Sequence, residues 1–584
     1  MLTVDVDDTD VHELPVRGRR FGLSARHQPM VLLVVAMVVW LVALPLLRQA
    51  TDDHVAGQYG LLPTTGGTLL LVSLCVALIA FLWAVAINSV GVAALAIVGV
   101  TLVERVTATL ITDLPLYVWT YRHIGIVEFM IHNHESPHIQ IYGDWPSFFA
   151  TMAWFSTISG LDPVIVAHWF APVAALLIAT LIGVLTISAG FSVRAALVAA
   201  MLAAILNWTG QDYYSPQAVG FILALTILSL LLYSRKLPMA GYISIPLFAV
   251  FAATHQLTPV WLCLLTIALA VFNQIAPRWL ALVYAAILAT YVVPRLGRAG
   301  RFDLFTGFNP FKNTEVVAAA RGSDGREFTT MVDRGVSVTV WLLALLCFFV
   351  IWRKYGAPWA LALIAFSSMA ILAGQNYGGE AIIRVYLYSL AGATILLAVV
   401  IASISDIRRR VFAIPAWIMA GLLVIALGAG SLQGYYGGWS HVTVTSSQLE
   451  QSRGLPSATQ GRFIIGTLAQ PVGWPEGSTA EQVSHKLQDP SYDAVLDSVR
   501  SSLMHKKKAT AHDVDLLESA LPKIGPIRTL YIILPRQAIA YGEYLGWYPV
   551  TFIPSLIERI SKTEGWSKVS EDDDTVIFAY VKKK

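Results

Sequence analysis

Residues 112 to 160 read TDLPLYVWTYRHIGIVEFMIHNHESPHIQIYGDWPSFFATMAWFSTISG. An acidic side chain, Asp113, stands where a long apolar run gives out, and Tyr, Trp, His and Glu then follow too densely for a membrane helix. The stretch is therefore expected at the membrane surface. A topology argument over the whole chain puts it on the outer face, where a carboxylate just above the bilayer can act on something held in the lipid.

Composition sets the class around it. Hydrophobic residues make up 56% of the 584, charged residues 13%, and mean hydropathy is +0.64, values of a polytopic membrane protein and not of a soluble one. A net charge of +3 is too small to imply nucleic acid as a partner. The three cysteines, Cys75, Cys263 and Cys347, lie in apolar runs, so neither a disulfide framework nor a CxxC metal site is available.

Residues 1 to 29 pass from an acidic part, VDVDDTDVHELP, to a basic one with Arg17, Arg19, Arg20 and Arg26. A basic flank also opens a signal peptide, but no small-residue cleavage site follows, so the first span is read as retained with a cytoplasmic N-terminal tail. A hydrocarbon core of about 30 Å takes roughly 20 apolar residues per helix. On that ruler the spans fall near 30–47, 67–87, 90–111, 164–188, 195–208, 217–234, 242–255, 258–276, 279–294, 336–352, 357–374, 385–404 and 411–430, about thirteen helices.

Lys and Arg of short loops should stay cytoplasmic. With the N-terminus inside, the inner loops hold Arg194, Arg235 with Lys236, Arg278, Arg353 with Lys354, and Arg408 to Arg410, while loops 209–216 and 255–258 hold none. An odd span number then places Asp113, Glu380 and the C-terminal part outside. One outer loop, 294–336, breaks the rule with Arg295, Arg298, Arg301, Lys312, Arg321, Arg326 and Arg334. Anion binding there accounts for it; a solvated loop with largely cancelling charges is the plain alternative.

The expected architecture is an all-α polytopic membrane domain over 30–430, with outer loops 112–163 and 294–336, followed by a small extracytoplasmic α/β domain over 431–584. Strand-like Thr529–Leu534, helix-like Ser555–Gly565 and strand-like Thr575–Val581 carry the second part. The outer turns gather costly polar groups: Asn207 to Pro216 with Asp212, Tyr213 and Tyr214; His255 with Gln256 and Thr258; and Gln375 to Arg384 with Glu380.

This order resembles the GT-C superfamily of integral-membrane glycosyltransferases: an acid after a helix, a loop reading as two juxtamembrane helices, then Trp145-Pro146 leading into Ser147–Ser159, too short to span. Asp113 follows the third span where the family places its acid after the first, so two helices are added in front. No DxD doublet occurs in that loop. The resemblance implies a polyprenyl-phosphate sugar donor, a lipid-linked or polysaccharide acceptor of the cell envelope, and work at the outer face of the plasma membrane.

Chemistry assigns roles beside the resemblance. A phosphate-linked sugar already has a good leaving group, so the transfer needs a base for the acceptor hydroxyl and cations for the developing phosphate charge. Asp113, at a partly dry interface, is the expected base. Arg384, with Arg295, Arg298 and Arg301, is expected to hold the phosphate. Asp212 and Glu380 would orient sugar hydroxyls, with His255 among the binding groups, and Trp119, Tyr213 and Tyr214 would stack on the sugar. A divalent ion, Mg2+ or Mn2+, stays open, with Asp113 and Asp212 as its ligands if one is used.

Ordinary readings stand beside these. Asp113 before Leu-Pro also fits a helix cap, Asp212 a turn acid, and Tyr and Trp at span ends an aromatic belt. His132, His134, Glu135 and His138 match no metal-binding spacing and read as a solvated loop. Glu104 and Arg105 inside the third span read as pairing structurally with neighbouring helices. A flippase or transporter of lipid-linked sugars would need two similar halves with broken helices, which the sequence does not show. An O-antigen-type polymerase or ligase remains the nearest enzymatic alternative.

Overall fold

The computed structural model describes residues 27–53, 55–137, 141–299, 322–371, 381–407, 409–458, 462–466, 468, 497–519, 521 and 527–582. Eight helices are long and apolar enough to cross a membrane: Gln28–Asp52, Thr65–Ala86, Val90–Ile111, Pro163–Ser188, Pro216–Tyr233, Asp324–Tyr355, Ala381–Asp406 and Arg410–Tyr436. Five shorter apolar helices, Val193–Leu206, Pro238–Ala252, Thr258–Val271, Leu280–Arg295 and Trp359–Ala370, occupy the other expected positions. By length and composition alone eight helices among the described residues qualify as spans, fewer than the about thirteen that the sequence suggested. Val271, Leu282 and Met419 are strongly exposed apolar side chains on these helices, as expected of a surface facing lipid. The chain is an integral membrane protein.

Helix starts follow local chemistry. Ser215 accepts from the N–H of Ala218 ahead of Pro216, Asp162 accepts from that of Val164 ahead of Pro163, and Ser323 accepts from that of Arg326. The Ser323 cap explains one departure from expectation. The span read as 336–352 begins at Asp324, so part of the supposed 294–336 loop is helix, its first turn carrying Asp324 and Glu327 at the positive end of the helix dipole. Charge had disguised it as loop. The last span likewise runs on from 430 to Tyr436.

Between the third and fourth long helices the chain forms the two expected short ones, Val118–Asn133 and Ser147–Ser159. The second buries Phe148, Phe149 and Ala153 and exposes Trp154, Phe155 and Ile158, the two-faced pattern of a helix lying along a membrane surface. Backbone bonds lock this layer to one end of the bundle: Tyr117 N donates to Val442 O at 3.2 Å, Ser147 N to Ala253 O at 3.2 Å, and Leu61 N to Tyr436 O at 3.3 Å. The opposite end carries Arg194, which reaches Asn88 at 3.3 Å and Asp406 at 3.8 Å, and Arg278 on Asn273.

Beyond the last span, a linker helix Ser446–Ala458 leads to a four-stranded sheet of β1 (Arg462–Gly466), β2 (Ile527–Pro535), β3 (Trp566–Glu571) and β4 (Thr575–Val581), in the order β1-β2-β4-β3. The β1–β2 pair is parallel and the others antiparallel. The amphipathic helix Phe552–Ser561 packs Phe552, Leu556 and Ile560 with Leu530, Ile532 and Phe578 of the sheet, a core of its own. Arg453 of the linker meets Glu128 of the first juxtamembrane helix at 2.6 Å, and Gln537 Nε2 donates to Thr443 O at 3.3 Å. The α/β part therefore sits at the same end as the juxtamembrane layer.

Helix packing is close enough to be tested. A Cβ added at Gly392 would come within 2.7 Å of Leu361 O on the neighbouring helix, whereas one at Gly335 meets nothing within 4 Å. Gly392→Ala is expected to destabilise the protein by about 1–3 kcal/mol, and Gly335→Ala to be neutral or slightly stabilising. Thermal unfolding in detergent separates the two.

Candidate functional site

The third span is not a regular α-helix throughout. Leu102–Val106 is a π-helical turn, a feature that re-aims side chains and often marks a functional region. It turns Glu104 and Arg105 inward, both only 2% exposed. Arg105 Nε donates to Asp212 Oδ2 at 2.7 Å and Nη1 to Glu104 Oε2 at 3.3 Å, while Nη2 donates to Asn207 O. The Tyr435 ring lies 4.0 Å from the guanidinium, a cation–π contact. Asp212, expected to meet a sugar, is 1% exposed and spends its carboxylate on this network. Arg105 pairs structurally with the neighbouring turn through Asp212 and Asn207, as the sequence suggested, and also with its own neighbour Glu104.

Above the network the backbone is under strain. Tyr117 has φ +70, a conformation that costs a non-glycine residue of order 1–3 kcal/mol. Gly210 faces it, and a Cβ there would come 2.5 Å from the Tyr117 hydroxyl oxygen. Tyr117 and Tyr213 rings are 5.8 Å apart. They line a small pocket with Arg105, Thr112, His168, Tyr214 and Tyr435, holding about 30 Å³ of space for water, room for one or two molecules.

From Tyr213 the site extends through two imidazoles. The His123 ring stacks on Tyr213 at 5.9 Å and 8°, and its Nδ1 donates to Tyr214 O at 2.8 Å, which leaves Nε2 as an acceptor when the ring is neutral. Burial, helped by nearby Arg122, pushes its pKa down to about 4. His255 lies in the turn before Thr258–Val271, and Leu257 N and Thr258 N donate to its Nδ1 at 3.3 and 3.2 Å. Burial, with Arg384 and His123 adding, holds its pKa well below the usual value. Arg384, buried on the Ala381–Ser403 helix, donates from Nε to Gln217 Oε1 at 3.1 Å.

The structure thus brings together Tyr213, Tyr214, His255 and Arg384, residues from three separate stretches of the sequence. Asp113 stands apart from the expected partly dry setting: its side chain is 64% exposed, and Arg48 Nη2 holds both its oxygens at 2.8 and 3.0 Å while Arg48 Nε donates to Asp52. Trp119 is 44% exposed. Arg295 stacks on Tyr291 at 3.9 Å with Asp144 3.9 Å from its Nε, so it braces the juxtamembrane layer. Arg301 and Glu380 lie outside the described residues, as does the side chain of Arg298.

Asp113 and Asp212 are each taken up by a different guanidinium, which does not fit a shared divalent ion. Among the described residues no group of three or more His, Cys, Asp or Glu is gathered as a metal requires. His132, His134 and Glu135 are exposed, and His138 lies outside the described residues.

The fold and the site define a polytopic helical membrane protein with a juxtamembrane layer and a terminal α/β domain over one bundle end. No family model matches the chain, and no curated protein does. Among solved structures it is similar to ArnT from Cupriavidus metallidurans bound to undecaprenyl phosphate, at 11% identity and a TM-score of 0.42, covering 84% of this chain and 98% of that one. It is also similar to arabinofuranosyltransferase AftD from Mycobacteria, at 13% identity and a TM-score of 0.47, covering 85% of this chain and 40% of that one. Likeness at this level assigns no activity.

Burial separates the two arginine–aspartate pairs energetically. Asp212→Ala leaves Arg105 buried without its nearest carboxylate, a loss of about 3–5 kcal/mol, whereas Arg48→Ala removes exposed pairing worth about 0–1 kcal/mol. Chemical denaturation of the two variants in detergent should show that contrast.

Proposed function

We propose that this protein is a GT-C-type glycosyltransferase of the plasma membrane, moving a sugar from a polyprenyl-phosphate donor to a lipid-linked or polysaccharide acceptor of the cell envelope at its extracytoplasmic end. The observation that carries the reading is the grouping of Arg384, His255, His123 and Tyr213 against a layer of two juxtamembrane helices. A buried guanidinium beside neutral imidazoles suits an anionic headgroup whose lipid tail stays in the membrane. The lysines and arginines at the opposite bundle end suit a cytoplasmic face.

In this scheme Arg384 neutralises the charge that grows on the phosphate oxygen as the sugar–oxygen bond breaks. Tyr213 and Tyr117 offer ring faces to the sugar. Asp113, at the solvent-open margin next to Thr112 of the pocket, takes the proton of the acceptor hydroxyl, and Arg48 orients its carboxylate. The pocket's small size means that Tyr117 or the juxtamembrane layer must move to admit a sugar. The α/β domain, tied to the first juxtamembrane helix through Arg453 and Glu128, is placed to guide the acceptor.

Turnover of radiolabelled polyprenyl-phosphate sugars by the purified protein tests this. Asp113→Asn and Arg384→Ala are each expected to lower the rate by about 10²-fold or more. Full activity in a folded Asp113→Asn variant would remove the base, and lipid movement across vesicles without glycosidic product would point to a flippase.

A further inference from the structure

We propose that His255 is a locked neutral donor, presenting Nε2–H beside Arg384 as the seat for a phosphate oxygen, and that Gln217, Tyr388 and Thr258 are the positioning residues that lock it. This rests on the donor chemistry proposed above and specifies how the headgroup is held.

Backbone contacts fix where the imidazole proton sits, and a chain of side-chain contacts then takes its direction from them. A ring nitrogen that receives backbone N–H groups carries no hydrogen, so the bonds from Leu257 N and Thr258 N put the proton of His255 on Nε2. The chain of side-chain contacts begins at Arg384. A guanidinium only donates, so its bond to Gln217 Oε1 sets the orientation of that amide. Gln217 Nε2 then donates to Tyr388 Oη at 3.2 Å.

The hydroxyls of Tyr388 and Thr258 are 2.7 Å apart, and Thr258 Oγ1 is 2.8 Å from His255 Nδ1. Because Nδ1 accepts, Thr258 donates to it and Tyr388 donates to Thr258. Every hydrogen in the chain therefore points from Arg384 toward His255, through five buried side chains.

The consequence is chemical. All the hydrogen bonds His255 makes among the described residues end on Nδ1, yet the residue is 4% exposed. With so little of the residue exposed, an Nε2–H here has few water partners until an acceptor arrives. Arg384 and His123 are the titratable groups facing it, and Arg384 supplies a permanent positive charge, which favours an anionic acceptor over a sugar hydroxyl. The lock also keeps His255 from acting as a base or as a metal ligand, since either role needs a lone pair on Nε2.

The two amide replacements of histidine separate donor from acceptor. Gln places an NH2 near the Nε2 position, whereas Asn places its amide oxygen near Nδ1, keeping the turn's acceptor and losing the donor. The readout is the dissociation constant of undecaprenyl phosphate for the purified full-length protein, with inorganic phosphate and undecaprenol as competitors. His255→Gln is expected to stay within about threefold of wild type, and His255→Asn to bind about ten- to a hundredfold more weakly. Tyr388→Phe, which cuts the chain without touching the headgroup, should fall between them.

Competition by inorganic phosphate supports a seat for the headgroup oxygen; competition by undecaprenol alone contradicts it. Equal binding by His255→Asn and wild type, or better binding by Asn than by Gln, overturns the seat while leaving the functional reading intact. A wild type that binds no undecaprenyl phosphate overturns both.

Discussion

The ion pair between Arg105 and Asp212 is the constraint on which the polar end of the bundle depends. It joins the π-helical turn within the third span to the turn before Pro216–Tyr233, and Nη2 holds the Asn207 carbonyl of the same turn. In a membrane-embedded setting, breaking such a pair strands a charge. The turn from 207 to 215 is therefore held in one place, and Tyr213, Tyr214 and Ser215 with it. His123 is positioned by the Tyr214 carbonyl, and Gln217, two residues past the Ser215 cap, reaches Arg384 and Tyr388. One buried pair thus sets the registry of residues that never touch it.

The geometry also divides the charged residues by task. Buried Arg105 and the half-buried Arg295 brace the scaffold, the first on Asp212 and the second on Tyr291 and Asp144. Arg384 is buried near His255 and, among its contacts, donates to a neutral amide in Gln217. Arg105 has a structural task, its guanidinium held by two carboxylates and a backbone carbonyl.

Much of this was legible in the sequence, and the exceptions share a cause. Apolar length located every described span, and the breadth of polar residues in 112–160 located both juxtamembrane helices, because these signals are local. The start of the helix at Asp324 was missed because charge masked a Ser323 cap that a capping search would have found. Asp212 was placed on substrate because its partner, Arg105, is more than a hundred residues away. Tyr388 stands four residues after Arg384 on one helix face, a spacing the sequence displayed. Nothing in the sequence linked it to Thr258 or Gln217, since those contacts come from helix packing alone.

The proposed function depends on sidedness, since its polyprenyl-phosphate donor and envelope acceptor are assigned to the extracytoplasmic face. Lys568, exposed on β3, and Arg278, exposed at the opposite bundle end, report on it directly. The native cysteines are buried or half-buried and give little background. Single cysteines at the two positions, probed with a membrane-impermeant maleimide, should label at 568 in intact cells and at 278 only after permeabilisation. Labelling at 278 in intact cells, with 568 protected, would contradict the account.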